Sequence, residues 1–318
     1  MNRELDIIQT IAQLTGHPED LADDAYWNPA TRQILTTDML VENHHFSRSY
    51  CSPEDIGWKA IAVNVSDIAG MGGSPQSVLV SLGLPASIEL GWIERLYQGI
   101  LAACRQYGCA LVGGDTVGSD CLVLNVTAVG TCPEGRQIGR RTQAQAGDLI
   151  IATGYHGLSE VGLRTLQAGE EGYIQAKAAH LRPQPRLRES EILSRGFPRY
   201  ALMDSSDGLA DALLKIALAS RKKLIINRAK IPLHPELRAY SQAHYADPVE
   251  LALYGGEDFQ LVATVPEVTP DLLAHFHVLG RVEDGEPGAW LEAPGQTEAV
   301  PLDLNRTYQH FAESESHD

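Results

Sequence analysis

Arg199-Tyr200-Ala201-Leu202-Met203, then Asp204-Ser205-Ser206-Asp207-Gly208, then Leu209-Ala210-Asp211-Ala212-Leu213-Leu214 is the stretch on which the fold turns. The first five residues read as a strand, Gly208 punctuates, and the apolar spacing through residue 220 reads as a helix. Two carboxylates therefore stand at a strand-to-helix turn, where α/β folds commonly present ligand-binding groups. The same alternation spreads outward. Toward the N-terminus lie a helix from about residue 187, a punctuated segment at 180–186, a helix at 158–167 and a strand at 148–153. Further back, strands are expected at 33–38, 77–82, 110–113 and 121–131. Helices are expected at 56–69 and 92–107, the second with Trp92, Leu96, Ile100 and Cys104 along one face. Leu5, Ile7, Ile8, Ile11 and Leu14 mark an amphipathic opening helix ending near Gly16. Toward the C-terminus, Gly255-Gly256 precedes an apolar strand at 259–265. The pattern is that of an α/β (α+β) protein.

The chain has 318 residues, more than one average domain, and 44% of them are hydrophobic, enough for two cores. The polar stretch 133–147, with three arginines, reads as a connection and divides the chain into domains 1–140 and 141–318. Asp and Glu number 41 against 25 Lys and Arg, a formal net charge of -16 that repels nucleic acid and anionic membrane surfaces. A polyanionic substrate would need metal ions between itself and such a protein. Cys51, Cys104, Cys109, Cys121 and Cys132 form no C-x-x-C pair and read as structural thiols of a reducing compartment. Met1-Asn2-Arg3-Glu4 begins no apolar signal-type run, and no stretch of roughly 18 uninterrupted apolar residues occurs. A cytoplasmic protein is expected.

Neither G-x-x-x-x-G-K-[ST] nor G-x-G-x-x-G with a suitably placed acid is present, so a nucleotide would be held another way. The chain offers aspartates that the pattern places at loops or turns: Asp23-Asp24, Thr36-Thr37-Asp38, Asn64-Val65-Ser66-Asp67, Gly113-Gly114-Asp115 and Asp204-Ser205-Ser206-Asp207-Gly208. Singly, each reads as well as an N-cap or Asx-turn residue. Together, carboxylates converging on one cleft would repel strongly unless divalent cations neutralised them. Oxygen-only ligation points to magnesium or manganese. Gly113-Gly114 reads either as a plain turn or as bare backbone able to approach a phosphate.

Thr37-Asp38-Met39-Leu40-Val41, Ala62-Val63-Asn64-Val65-Ser66-Asp67-Ile68-Ala69, Gly113-Gly114-Asp115-Thr116, Met203-Asp204-Ser205-Ser206-Asp207-Gly208-Leu209 and Gly255-Gly256-Glu257-Asp258-Phe259 stand in one order along the chain. In sequence and order they resemble the thiamine-monophosphate kinases, and the resemblance spans nearly the whole chain. It implies a two-domain fold shared with aminoimidazole ribonucleotide synthetase, selenide water dikinase and a hydrogenase-maturation enzyme. In that fold the N-terminal sheet domain dimerises, the C-terminal α/β domain completes the substrate site, and ATP and several Mg²⁺ ions lie near the junction. Carried over by residue, it implies metal ligation by Asp24, Thr36, Thr37, Asp38, Asp67, Asp115, Asp204 and Asp207. It implies ATP contacts from Gly114, Asp115, Arg141 and Ser206, and contacts to the thiamine moiety from His45, Glu257 and Tyr308. Read on its own, His45 is more readily a surface histidine beside His44, whereas Glu257 is equally a helix-end or solvated carboxylate and Tyr308 equally an aromatic of the tail packed on the body. Two features depart from the family pattern, at three positions. Leu21 and Ala22 replace glycines before the first aspartate pair, and Asn43 replaces a glycine two residues before His45. Asparagine tolerates positive φ.

The implied activity is ATP-dependent phosphorylation of thiamine monophosphate to thiamine pyrophosphate, by direct in-line transfer without a covalent phosphoenzyme, in a homodimer. A phosphate ionises a second time near neutrality, so no strong general base is required. The rival readings are another ATP-dependent enzyme of the superfamily and a non-catalytic binder of thiamine phosphates or nucleotides. No cysteine precedes Cys51, which counts against dikinase chemistry.

Overall fold

The computed structural model describes residues 3–16, 23–293, 295 and 298–308. After helix α1 (Arg3–Thr15) comes a five-stranded sheet of β1 (Tyr26–Asn28), β2 (Gln33–Val41), β3 (Ser74–Leu84), β4 (Ala110–Gly118) and β5 (Val123–Thr131), in the order β1-β2-β5-β3-β4. Its neighbours are antiparallel except for β3 and β4. That parallel pair needs a crossover, which α3 (Leu90–Tyr107) supplies. β5 alternates along its length, with Leu124, Val126 and Ala128 buried against the helices. Helix α2 (Pro53–Gly70) starts where Ser52 Oγ accepts the Asp55 N–H at 3.1 Å, with Pro53 in the first turn. Its apolar residues lie on all sides, so it is buried nearly all round. Gly57 permits close packing on α3: a Cβ there would stand 2.2 Å from the Leu96 carbonyl oxygen.

A second, seven-stranded sheet holds β6 (Leu149–Thr153), β7 (Ala201–Asp204), β8 (Lys223–Asn227), β9 (Leu261–Val265), β10 (Phe276–Glu283), β11 (Gly288–Glu292) and β12 (Val300–Pro301), in the order β12-β11-β8-β10-β6-β9-β7. Helices α4 (Leu158–Ala168), α5 (Ile174–Leu181), α6 (Leu187–Gly196), α7 (Leu209–Ser220), α8 (Pro235–Ala243), α9 (Pro248–Tyr254) and α10 (Pro270–Leu273) accompany it. The strand, acidic turn and helix read from residues 199–220 are present as β7, its turn and α7. One core draws on residues 25–132 together with Phe259, and further cores gather around α7 and beneath β6, β7 and β9. The connection 133–147 is irregular apart from a 3-10 turn at Arg141–Gln143. Its arginines are engaged: Arg136 pairs with Glu191, Arg140 with Asp23 at 3.2 Å and Arg141 with Asp24 at 2.5 Å.

The expectation that the aspartates occupy loops is overturned for three of them. Asp38 lies inside β2, Asp67 in the last turn of α2 and Asp115 inside β4. The expected strands stop at residues 38 and 113, whereas ladder hydrogen bonds to β5 and β3 carry them on to Val41 and Gly118. The punctuated segment at 180–186 likewise begins inside α5. Asn43 takes a positive φ of 66°, as its replacement of glycine requires. Leu21, Ala22 and the tail beyond residue 308 lie outside the described residues.

Candidate active site

Alternate residues of β2 face α2, and this periodicity turns Thr36 and Asp38 inward with Ile34 and Leu40. Thr36 Oγ1 donates to Asp67 Oδ2 at 2.5 Å, and the Asp38 N–H donates to Asn64 Oδ1 at 3.0 Å. Asp204, at the end of β7, meets the same helix from the other side. Ser66 Oγ donates to Asp204 Oδ2 at 2.6 Å, and the Asp204 N–H donates to Asp24 Oδ2 at 3.0 Å. Arg141 Nη2 donates to Asp24 Oδ1 at 2.5 Å. Gly70 makes room for this meeting, since a Cβ there would lie 2.1 Å from Asp24 Oδ2. Burial, then the charges of Asp38, Asp204 and Asp24, hold the Asp67 carboxyl well above the usual carboxylate range. Burial and Asp24 do the same to Asp204. Asp24, Asp38, Asp67 and Asp204 therefore crowd one buried region, opposed by the guanidinium of Arg141.

An oxygen-only, net-negative donor set suits a hard divalent cation. Among the described residues, no three carboxylate, imidazole or thiolate groups are placed to hold one ion together. Mg²⁺ needs only one or two protein carboxylates, because it keeps several water and phosphate ligands of its own.

Next to Asp38 opens a cleft of about 870 Å³, and its walls bring His45, Ser206, Asp207, Glu257 and Tyr308 together. His45 Nδ1 accepts the Val41 N–H at 3.1 Å, an arrangement that leaves the ring proton on Nε2. Glu257 has a φ of 63° and Phe259 a φ of 49°. The Phe259 ring is buried in the core of the first sheet. The Glu257 N–H donates to the Ser206 carbonyl at 2.5 Å. Its carboxylate lies 2.7 Å from Lys59 Nζ and 3.3 Å from His180 Nδ1. Burial opposes the ionisation of Glu257, yet the Lys59 ammonium outweighs it and leaves its pKa below the usual value. Burial, reinforced by Lys59, pushes His180 down to about 3, so that ring is neutral. Asp207 pairs with Lys215 at 3.3 Å, and Lys215 with Asp211 at 2.7 Å. Tyr308 stands half-exposed at the rim. Beside it the Arg306 guanidinium lies 4.1 Å from the centre of the Tyr254 ring.

Other expected site residues do not join the carboxylate group. The Thr37 hydroxyl turns to the opposite face of β2, where it donates to the Val126 carbonyl at 3.0 Å and accepts from the Asn125 amide at 3.2 Å. Asp38, Val126, Val80 and Gly114 share one row across the sheet. Gly114 therefore lies three strand spacings, about 14 Å, from Asp38. A Cβ on Gly114 would sit 1.8 Å from the Val80 carbonyl oxygen, so the approach of β3 and β4 itself demands glycine. Asp115 is exposed on β4, and its Oδ1 accepts the Thr116 N–H at 2.8 Å. Reasoning from sequence missed Lys59, His180, Asn64 and Ser66 as parts of the site. Lys59 carried a signal, being the lone charge in the apolar run 56–63. His180 carried none.

Residues 22–132 match the AIR synthase related protein, N-terminal domain family. The thiamine-monophosphate kinase of Synechococcus elongatus is 40% identical over 310 residues, covering 92% of this chain and 92% of the relative. That of Bacillus subtilis is 38% identical over 332 residues, covering 97% and 99%. The structure of AaThiL complexed with AMPPCP and TMP has a TM-score of 0.84 at 35% identity and covers 97% of each chain. Sequence and fold thus agree over almost the full length, and the motifs that carry the resemblance frame the cleft and its carboxylates: the chain belongs to the thiamine-monophosphate kinase family.

Proposed function

We propose that this chain transfers the γ-phosphoryl group of ATP to the phosphate of thiamine monophosphate, yielding thiamine pyrophosphate and ADP. The observation that carries the reading is one juxtaposition. A buried group of carboxylates, Asp24, Asp38, Asp67 and Asp204, adjoins a cleft lined by His45, Glu257 and Tyr308. Charge is handled at one end and an organic ring system at the other. Asp24, Thr36, Asp38, Asp67, Asp204 and Asp207 would hold Mg²⁺, which when bound neutralises phosphate charge and aligns the exchanging oxygens. The aspartates anchor and do not attack. Gly114, Asp115, Arg141 and Ser206 face ATP. Glu257 accepts a hydrogen bond from the aminopyrimidine, His45 lies against the same ring, and Tyr308 offers its face to the thiazolium cation. A phosphate oxygen of the substrate attacks in line, and its ionisation near neutrality removes the need for a strong protein base.

The reading includes domains at 1–140 and 141–318 and a homodimer formed through the first sheet. Exposed Met39, Leu79, Val112 and Val117 on that sheet support the dimer. It places the enzyme in the cytoplasm, where its five free thiols would persist. Among the described residues, no helix is long and apolar enough to cross a membrane.

The test is formation of thiamine pyrophosphate from thiamine monophosphate, ATP and Mg²⁺ by the purified chain. Absence of product, or undiminished product after exhaustive chelation, would overturn the reading. Asp67→Asn should lower turnover by about 10²–10³-fold with an unchanged circular dichroism spectrum. It should also reduce the Mg²⁺-dependent rise in Tm, a readout that does not depend on turnover.

A further inference from the structure

Lys59 is 2% exposed, set among apolar neighbours in α2. A lysine so placed needs partners, because an unpaired buried ammonium is costly. Its partners are the two residues read above as facing the thiamine moiety. Nζ lies 2.7 Å from Glu257 Oε1 and donates to the His45 carbonyl at 3.0 Å. One ammonium thereby joins the loop after β2 to the loop before β9, which belong to different sheets. The second loop needs such a tie, since Glu257 and Phe259 both take positive φ without being glycine, and strained conformations persist only where the surroundings impose them. Phe259, buried in the core of the first sheet, pins one side, and the Lys59 pair pins the other. Asp67 stands eight residues beyond Lys59 on the same helix, about 12 Å along its axis at 1.5 Å per residue. A single buried helix therefore carries the anchor of the organic end and a carboxylate of the phosphate end.

We propose that Lys59 is a positioning residue for the thiamine substrate. It holds the Glu257 carboxylate and the His45 loop in register across the cleft. In this way it sets substrate affinity without touching substrate or joining phosphoryl transfer. The proposal rests on the reading that Glu257 and His45 face the thiamine moiety.

The experiment is a double-mutant cycle on the full chain with ATP and Mg²⁺, comparing Lys59→Met, Glu257→Gln and the double variant. Lys59→Met should raise KM for thiamine monophosphate at least about tenfold, with kcat and KM for ATP within about threefold of the parent. In the Glu257→Gln background the same change should add no more than about twofold, because the carboxylate it holds is gone. Lys59→Arg, which keeps a cation, should recover most of the loss. Equal effects of Lys59→Met in both backgrounds, or a fall in kcat at unchanged KM, would overturn the positioning role. If Glu257→Gln raises KM and Lys59→Met does not, the proposal alone fails. If Glu257→Gln leaves KM at the parent value, the assignment of Glu257 fails and takes the proposal with it. Should Lys59→Met not fold, Lys59→Gln goes through the same cycle with the same expectations.

Discussion

His156 is completely buried just after β6, and among the described residues neither of its ring nitrogens finds a hydrogen-bond partner. Burial, then the charges of Arg186 and His277, push it from 6.5 down to about 3, so the folded protein keeps the ring neutral. The unfolded chain binds a proton there below about 6.5. Between those values the unfolded state holds more protons, so stability falls as pH drops through this window, by up to about 1.4 kcal/mol per pH unit. His156→Leu should remove that slope. Urea unfolding of parent and variant between pH 5 and 7 checks it, and a difference independent of pH would refute it. Within the cleft, Glu257→Gln and Tyr308→Ala should each raise KM for thiamine monophosphate by roughly tenfold. A hydrogen bond to a charged group contributes about 1.5–3 kcal/mol and a cation–π contact about 0.5–2 kcal/mol. ATP affinity should barely change. Paired titrations of both substrates decide it, and lost ATP affinity with normal thiamine monophosphate binding would place the ligands the wrong way round.

α2 and α3 approach so closely that each presents a glycine to the other's backbone. A Cβ on Gly99 would stand 2.0 Å from the Glu54 carbonyl oxygen, matching the clash at Gly57. Gly57→Ala must separate the helices and should cost about 1–3 kcal/mol, read as a lower urea midpoint at unchanged slope. Gly91→Ala, where a Cβ would meet nothing within 4 Å, serves as the control and should leave the midpoint near that of the parent. Legibility differed among elements for a similar reason. α3 shows one apolar face and was readable from Trp92, Leu96, Ile100 and Cys104. β4 is a sheet edge exposed along most of its length, so its side chains carry no alternation beyond residue 113. Its continuation to Gly118 is set by hydrogen bonds to β3, which belong to no local window. α5 was missed because its eight residues show only a weak apolar face.

The molecule as a whole leaves the outer side of its first sheet with Met39 and Leu79 exposed, on strands whose opposite side is packed on α2 and α3. If that side is the dimer interface, light scattering at micromolar concentration should give twice the chain mass of 34.6 kDa. Leu79→Lys should shift the particle to the monomer mass, and a parent protein already at that mass would refute the interface. The sequence by itself determined the α/β alternation, the strand, turn and helix around Asp204, and the acidic motifs that carry the family resemblance. These depend on periodicity and on chemistry within a few residues. Only the tertiary structure decided which of the acidic residues meet. Asp24 and Asp204, 180 positions apart, touch because the ends of α2 and β7 pack together. Thr37 turns away because strand geometry sends adjacent side chains to opposite faces. Lys59 finds Glu257 because a buried ammonium must be compensated and the folded chain brings that carboxylate within 2.7 Å. Long-range burial and sheet register settle such pairings, and neither is contained in any short stretch of residues.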